Sequence, residues 1–271
     1  MSAAVNHSSG PYWQSGKVYE GYVGRWSRRV APIFLDWLPV PAGRNWLDLG
    51  CGTGALTQAI LTHRNPARVV GIDRSPEFIA HSRDTINDRR ATFREGDARQ
   101  IPLPEESQDA LVSALVLNFI PAEDQARAVS GMRHVLRPRG TFGAYVWDYS
   151  LGMAMMRIFW DAAAALDPDA AQRDESPRFP ICQPEPLAAL VEGAGFRDVA
   201  TRAIEIPTIF HDVEDYWQPF LAGGAPAPAY VQSLDEEHRE ALRAEIRSRL
   251  PIAADGTISL TARAWAVRGT R

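Results

Sequence analysis

The chain has 271 residues, 45% of them hydrophobic, a formal net charge of −4 and a pI near 5.9. That is enough apolar material for a large core in one or two domains, and the acidic balance argues against general electrostatic attraction to nucleic acid, so no nucleic-acid partner is expected. Cys51 and Cys182 lie far apart, with no disulfide framework and no zinc spacing, so no metal is expected and a cytoplasmic location is; the small, polar run Ser2–Gly10 lacks the apolar core of a secretory signal, and no stretch approaches the roughly 18 apolar residues of a membrane span.

Residues 1–16 are expected to be mobile. Tyr19 to Leu38 carry Tyr22, Trp26, Val30, Ile33, Phe34 and Trp37 at helical spacing before Pro39-Val40-Pro41 ends the helix. Strand and helix then alternate: strand 46–49, helix 55–62, strand 68–72, helix 76–86, strand 91–95, a loop through Ile101–Pro104, strand 109–116, a helix over 122–136 stopped by Arg137-Pro138-Arg139-Gly140, and strand 141–147. Such alternation predicts an α/β fold with a doubly wound, mostly parallel sheet. Further on, Leu151 to Leu166 hold Met153, Met155, Met156, Phe159 and Trp160, a stripe suited to a core or a pocket wall. Ala222–Pro228 suggests a flexible turn, and Leu234 to Leu250 a charged amphipathic helix with a solvated face.

The most informative stretch is Trp46-Leu47-Asp48-Leu49-Gly50-Cys51-Gly52-Thr53-Gly54-Ala55, a buried strand that breaks into a glycine loop and re-forms as a helix. Without Cβ atoms the loop turns tightly and brings its amides against a ligand, while the helix start offers unpaired N–H groups to an anionic one. Gly50-x-Gly52-x-x-Ala55 alone also fits a dinucleotide fingerprint. About twenty residues on, Val69-Val70-Gly71-Ile72-Asp73 ends a second strand in an acid, the position from which a carboxylate reaches ribose hydroxyls. A third strand ends in Gly96-Asp97-Ala98, and a fourth, from Asp109 towards Phe119, is nearly continuous in apolar residues.

On these four segments the chain resembles the class I S-adenosylmethionine-dependent methyltransferases, most closely the small-molecule subgroup related to the ubiquinone and menaquinone biosynthesis methyltransferases, well over residues 43–150 and in outline beyond. The resemblance implies a Rossmann-like sheet of seven strands, the sixth near 199–207 and the seventh near 257–267, the seventh antiparallel between fifth and sixth. It implies one methyltransferase domain over 1–271, with a sheet core of about 43–150, 183–207 and 257–271 and helical lid segments at 1–42, 151–182 and 208–256. S-adenosylmethionine is the implied cofactor: Gly50, Cys51, Gly52 and Gly54 would hold its methionine part, Asp73 the ribose, and Asp97 the adenine amino group with Ala98 at the ring, and Asp48, Arg74, Ser75, Asn118 and Phe119 are further residues of the expected cofactor site. Tyr22 and Arg25 of the aromatic N-terminal arm would complete the cofactor site from the lid, with Arg25 or Arg28 on the methionine carboxylate.

The expected partner is a small, partly apolar acceptor, methylated at O, N or C. An NAD-dependent oxidoreductase and a non-catalytic cofactor-binding regulator are the competing readings. Methyl transfer from a sulfonium requires alignment and desolvation, and only sometimes a base. Ligands of open parallel sheets gather at the carboxyl ends of strands, which singles out Asn118 and Phe119 after strand four and Asp148 and Tyr149 after strand five. Asn118 suits cofactor, substrate or a helix cap; Asp148 is either a base or a turn-former. Of six histidines, His211, after strand six, is the one placed to act as a base, Asp212 beside it being a helix-cap candidate.

Overall fold

A computed structural model describes residues 24–271 except 175, 176, 178 and 224. The aromatic arm before residue 24, Tyr22 included, lies outside the described residues, as does the tail expected to be mobile. Helix α1 (Arg25–Trp37) turns Trp26, Val30, Phe34 and Leu35 inward. It leads to β1 (Asn45–Leu49), α2 (Ala55–His63), β2 (Arg68–Asp73), α3 (Pro76–Thr85), β3 (Ala91–Glu95), β4 (Gln108–Ala114), α4 (Ala122–Val135) and β5 (Leu136–Trp147). Then come α5 (Ala154–Leu166), α6 (Pro184–Gly193), β6 (Arg197–Phe210), α7 (Val213–Trp217), α8 (Pro226–Ser233), α9 (Glu236–Arg249) and β7 (Ile258–Thr270).

The seven strands form one sheet in the order β3-β2-β1-β4-β5-β7-β6. β1 to β5 pair in parallel. β7 runs antiparallel between β5 and β6. Alternate residues feed two separate cores: Trp46, Val69, Val112 and Tyr145 pack on the α1/α2 side, and Leu47, Val70, Leu111 and Phe142 on the α4/α6 side. Burial on both faces is why these strands are apolar throughout.

Several boundaries differ from expectation, each for a tertiary reason. β4 stops at Ala114, because Leu115 takes a positive φ of 59° and Leu117–Phe119 wind into a 3-10 turn. β5 starts five residues early, Leu136 pairing with Gln108 across a register shift, so the expected stop signal lies inside a strand. The pairing of β6 with β7 continues to Phe210↔Ile258. Residues 208–210, expected in the lid, therefore belong to the sheet, with Thr208 and Phe210 buried like Ile204 and Ile206. Pro226 opens α8 inside the expected flexible turn, its fixed φ suiting a first helical position.

Helices α5, α7, α8 and α9 form a layer over the α1 face, while Phe179, Ile181 and Cys182 pack in the opposite core. Phe159 stacks on Phe220 at 4.4 Å, and the Tyr216 hydroxyl donates to the Met155 carbonyl at 2.7 Å. Met153, Met155, Met156, Phe159 and Trp160 are at most 3% exposed: the stripe is core, and the pocket-wall alternative is set aside.

Candidate functional site

The loop after β1 is built by contacts that only glycine permits. Gly50 has φ +75°, and a Cβ there would lie 2.2 Å from Val116 Cγ2. Gly54, at φ +84°, caps α2 where a Cβ would lie 2.5 Å from Ile86 Cδ1. Left-handed backbone with no room for a side chain makes both positions glycine-only. A Cβ on Gly52 would meet nothing within 4 Å, so this part of the loop faces open space. The Gly50 and Cys51 amides donate to the Ile72 carbonyl at 2.7 and 3.0 Å, and Ser82 of α3 donates to the Gly52 carbonyl at 2.9 Å. Cys51 is buried, and burial pushes its thiol up, away from reactivity.

Two carboxylates flank the loop. Asp48 is fully buried; its Oδ2 accepts from Thr57 Oγ1 at 2.6 Å, while Oδ1 has no partner. Burial raises this carboxyl from 3.8 to about 7, opposed by the Thr57 hydroxyl and assisted by the charge of Asp73. Asp73, at the end of β2, accepts from the Gly52 amide and from the Ser75 amide, each at 2.9 Å. Burial raises its carboxyl, and these two N–H donors oppose the shift. Ser75 in turn caps α3, accepting from the Phe78 amide at 3.3 Å, and Arg74 points to solvent. Thr57 and Ser82 hold this cradle without having been singled out in the sequence, since their partners lie outside any local motif.

Asp97 and Ala98 follow β3 in a tight turn, the Gln100 amide donating to the Asp97 carbonyl at 2.9 Å. The Asp97 carboxylate is gripped by Arg99, with Nη2 at 2.6 Å, and this pairing holds its carboxyl below the usual range. Beyond β4, Asn118 is 5% exposed and neither atom of its carboxamide has a partner, which disposes of the helix-cap reading. Phe119 sets its ring edge-on to Phe179 at 5.8 Å, and Tyr149 meets the same ring at 5.5 Å.

The two candidate bases, Asp148 and His211, have opposite surroundings, one buried and one exposed. Asp148, 2% exposed, accepts from Ser150 N and Oγ and from Leu151 N, from Gln183 Nε2 and from Arg263 Nη1. Burial alone would raise its carboxyl, but these donors outweigh it and hold it below the ordinary range. Its Oδ1 anchors the turn through Ser150 and Leu151, while its Oδ2 accepts from Arg263 at 3.5 Å. His211 is exposed just after β6, four strand positions from β1 in the sheet order, and its backbone N–H donates to Asp215 at 3.0 Å. Asp212 does cap α7. Arg25, expected on the cofactor, pairs through Nη1 with Asp215 at 2.9 Å and lies over the Phe210 ring at 4.9 Å, tying α1 to the β6 end, while its Nε and Nη2 are buried without a partner. His63, His81, His134 and His238 are solvent-exposed. Among the described residues no group of three or more His, Cys, Asp or Glu side chains could hold a metal, and no helix is long and apolar enough to cross a membrane.

Comparison with known proteins agrees with this geometry. Residues 47–140 match a methyltransferase domain family. An uncharacterized methyltransferase of Mycobacterium tuberculosis is 37% identical over 117 residues, which are 43% of this chain and 45% of the relative, so the chain matches less than half of that protein's length. A demethylmenaquinone methyltransferase of Roseiflexus is 32% identical over 183 residues, 61% of this chain and 73% of the relative. In fold, a solved structure of a methyltransferase from Bacillus halodurans superposes with a TM-score of 0.59 at 15% identity, covering 89% of this chain and 97% of that one. A loop with two glycine-only positions, set between the buried Asp48 and the half-buried Asp73 on a seven-stranded sheet whose last strand is antiparallel, thus comes with matching sequence over the same residues: the chain belongs to the S-adenosylmethionine-dependent methyltransferases.

Proposed function

We propose that the protein transfers the methyl group of S-adenosylmethionine to an O, N or C atom of a small, partly apolar acceptor. The observation that carries this reading is the unpartnered Oδ1 of Asp48, buried at the base of a loop whose glycine edge faces open space. A buried carboxylate oxygen without a donor is costly, and a cationic ligand group relieves it. S-adenosylmethionine brings an ammonium and a sulfonium to such a site, and its ribose suits Asp73, which keeps lone pairs beyond the two it gives to Gly52 and Ser75. The pyrophosphate of a dinucleotide, by contrast, would meet two acids, the buried Asp48 and the half-buried Asp73.

When bound, the cofactor supplies an electrophilic methyl whose transfer leaves the electron pair on sulfur and one acceptor proton for water to take. The chain's own contribution is placement and exclusion of water. Gly50 and Gly54 hold the loop in its left-handed form, Asp48 and Asp73 orient the cofactor, and Asn118 offers a carboxamide at the carboxyl end of β4, where an acceptor would sit. Phe119, Tyr149 and Phe179 supply apolar surface beside it. We read the whole chain as one domain in which the segments after β5 and β6 cover this crevice. Two buried free thiols suit a reducing cytoplasm.

The deciding experiment is incubation with methyl-labelled S-adenosylmethionine and a panel of small acceptors spanning phenols, amines and activated carbons. Labelled product establishes the activity. Binding of the cofactor without product from any acceptor class would favour a regulatory role, and binding of NAD in its place would overturn the assignment.

A further inference from the structure

Asp97, the residue that the cofactor reading places on the adenine amino group, has its carboxylate already engaged. Arg99 donates to Asp97 Oδ1 through its backbone N–H at 2.8 Å, to both oxygens through Nε at 3.0 Å each and to Oδ2 through Nη2 at 2.6 Å. The remaining guanidinium nitrogen, Nη1, reaches Asp124 Oδ2 at 3.2 Å. Asp124 lies in the first turn of α4 and also accepts from Arg127 at 2.7 Å. Arg99 therefore bridges two carboxylates, one at the end of β3 and one at the start of α4.

We infer that Arg99 is a latch on the adenine side of the cofactor site: it grips Asp97 in the ligand-free protein and shifts onto Asp124 when a 6-amino purine takes the Asp97 carboxylate. The inference rests on the cofactor reading above. Its physical basis is competition between donors for one acceptor. A carboxylate has about four acceptor sites, and Arg99 occupies positions on both oxygens, so the in-plane approach of a second donor pair displaces part of the fork. The exchange is inexpensive because the Arg99 and Asp97 side chains are 41% and 39% exposed, a setting in which ion pairs are weak. Asp124 supplies a second seat, so the guanidinium keeps a carboxylate partner throughout. The fork is also planar and rigid, so partial release retains its remaining hydrogen bonds. Arg99 thus acts on the ligand through Asp97 as a positioning residue, and it diminishes the advantage of a 6-amino group over a bare purine.

Calorimetry on the full chain tests this with adenosine and purine riboside, which differ only in the 6-amino group, and with S-adenosylhomocysteine as reference. We expect Arg99→Gln to tighten adenosine and S-adenosylhomocysteine by roughly two- to fivefold, the most that release of an exposed ion pair contributes, with purine riboside unchanged. Asp124→Asn should weaken the two amino-bearing ligands several-fold, but have no further effect in the Arg99→Gln background. Asp97→Asn should remove the discrimination in both. Equal changes for adenosine and purine riboside in Arg99→Gln, or an Asp124→Asn effect that persists without Arg99, would overturn the latch while leaving the cofactor assignment standing. Failure of S-adenosylhomocysteine to bind the wild-type protein would overturn both. Melting temperatures without ligand report any purely structural role of Arg99.

Discussion

The Gly52 amide and the Asp73 carboxylate meet at 2.9 Å across 21 positions of sequence, so the acid at the end of β2 holds the loop after β1 before any ligand arrives. The residue expected on the ribose is also a structural element of the cradle. Asp73→Ala should weaken S-adenosylmethionine by about 1.5–3 kcal/mol and also lower stability by about 1–3 kcal/mol, because the Gly52 and Ser75 amides lose their acceptor. Asp73→Asn keeps one acceptor oxygen and separates the two roles: a smaller drop in melting temperature with most of the affinity loss retained. Calorimetry and thermal melting on both variants check this.

Asp48 predicts a pH dependence. Its folded-state value of about 7 lies above the ordinary 3.8, so the folded protein binds more protons than the unfolded chain between those limits. The contribution of Asp48 to stability is complete below about pH 4 and is lost as pH rises through 7, a change on the order of 4 kcal/mol. The stability of wild type relative to Asp48→Asn should fall across that window and level off above it. A cationic ligand favours the ionised form, so binding below pH 7 expels a proton, and S-adenosylmethionine affinity should rise towards pH 7 in wild type with no such rise in Asp48→Asn. Denaturant titrations and calorimetry at pH 5, 6, 7 and 8 supply both curves.

Gly50→Ala combines a left-handed backbone with a Cβ placed 2.2 Å from Val116 Cγ2. The backbone part costs about 1–2 kcal/mol and the overpacking about 1–3 kcal/mol. Adding Val116→Ala should recover part of the second and none of the first, measured by chemical denaturation of single and double variants.

Asp148→Ala should damage the fold and spare the chemistry. Removing the acceptor of five donors on Ser150, Leu151, Gln183 and Arg263 is expected to cost about 2–4 kcal/mol, while turnover per folded molecule changes less than about twofold and the pH–rate profile keeps its shape. Because the folded-state carboxyl lies below its ordinary value, this stabilisation is complete above about pH 4 and disappears as the pH falls further. A turnover loss larger than the stability loss explains would restore Asp148 as a base.

Asn118→Leu removes a buried carboxamide that has no partner in the protein. The variant should melt at a higher temperature by an amount corresponding to about 1 kcal/mol or more, since an unsatisfied buried amide is replaced by apolar volume, yet lose methyl-transfer rate. Higher stability with unchanged kinetics would place Asn118 outside the site.

The loop from Asp48 to Gly54 and the alternation of the first five strands were legible in the sequence because their rules are local. Glycine permits positive φ, apolar runs mark strands buried on both faces, and the acid of Asp73 follows at the fixed distance of one crossover. The order of the last strands came from family resemblance alone, since β6 and β7 pair over long sequence separations and carry no local mark of which neighbour each meets. The fates of single polar residues were decided only in three dimensions. Asp148 looks like a base until Arg263, 115 positions away, and Gln183, 35 positions away, close on it. Arg25 gives one guanidinium nitrogen to Asp215, 190 positions away, and keeps Nε and Nη2 without a partner. The Met153–Trp160 stripe suits a core or a pocket wall until the helices after β6 cover it. A side chain's local pattern determines which interactions it is able to make; burial and the partners brought by distant segments determine which of them it makes, because a lone pair satisfied inside the fold is no longer offered to a ligand.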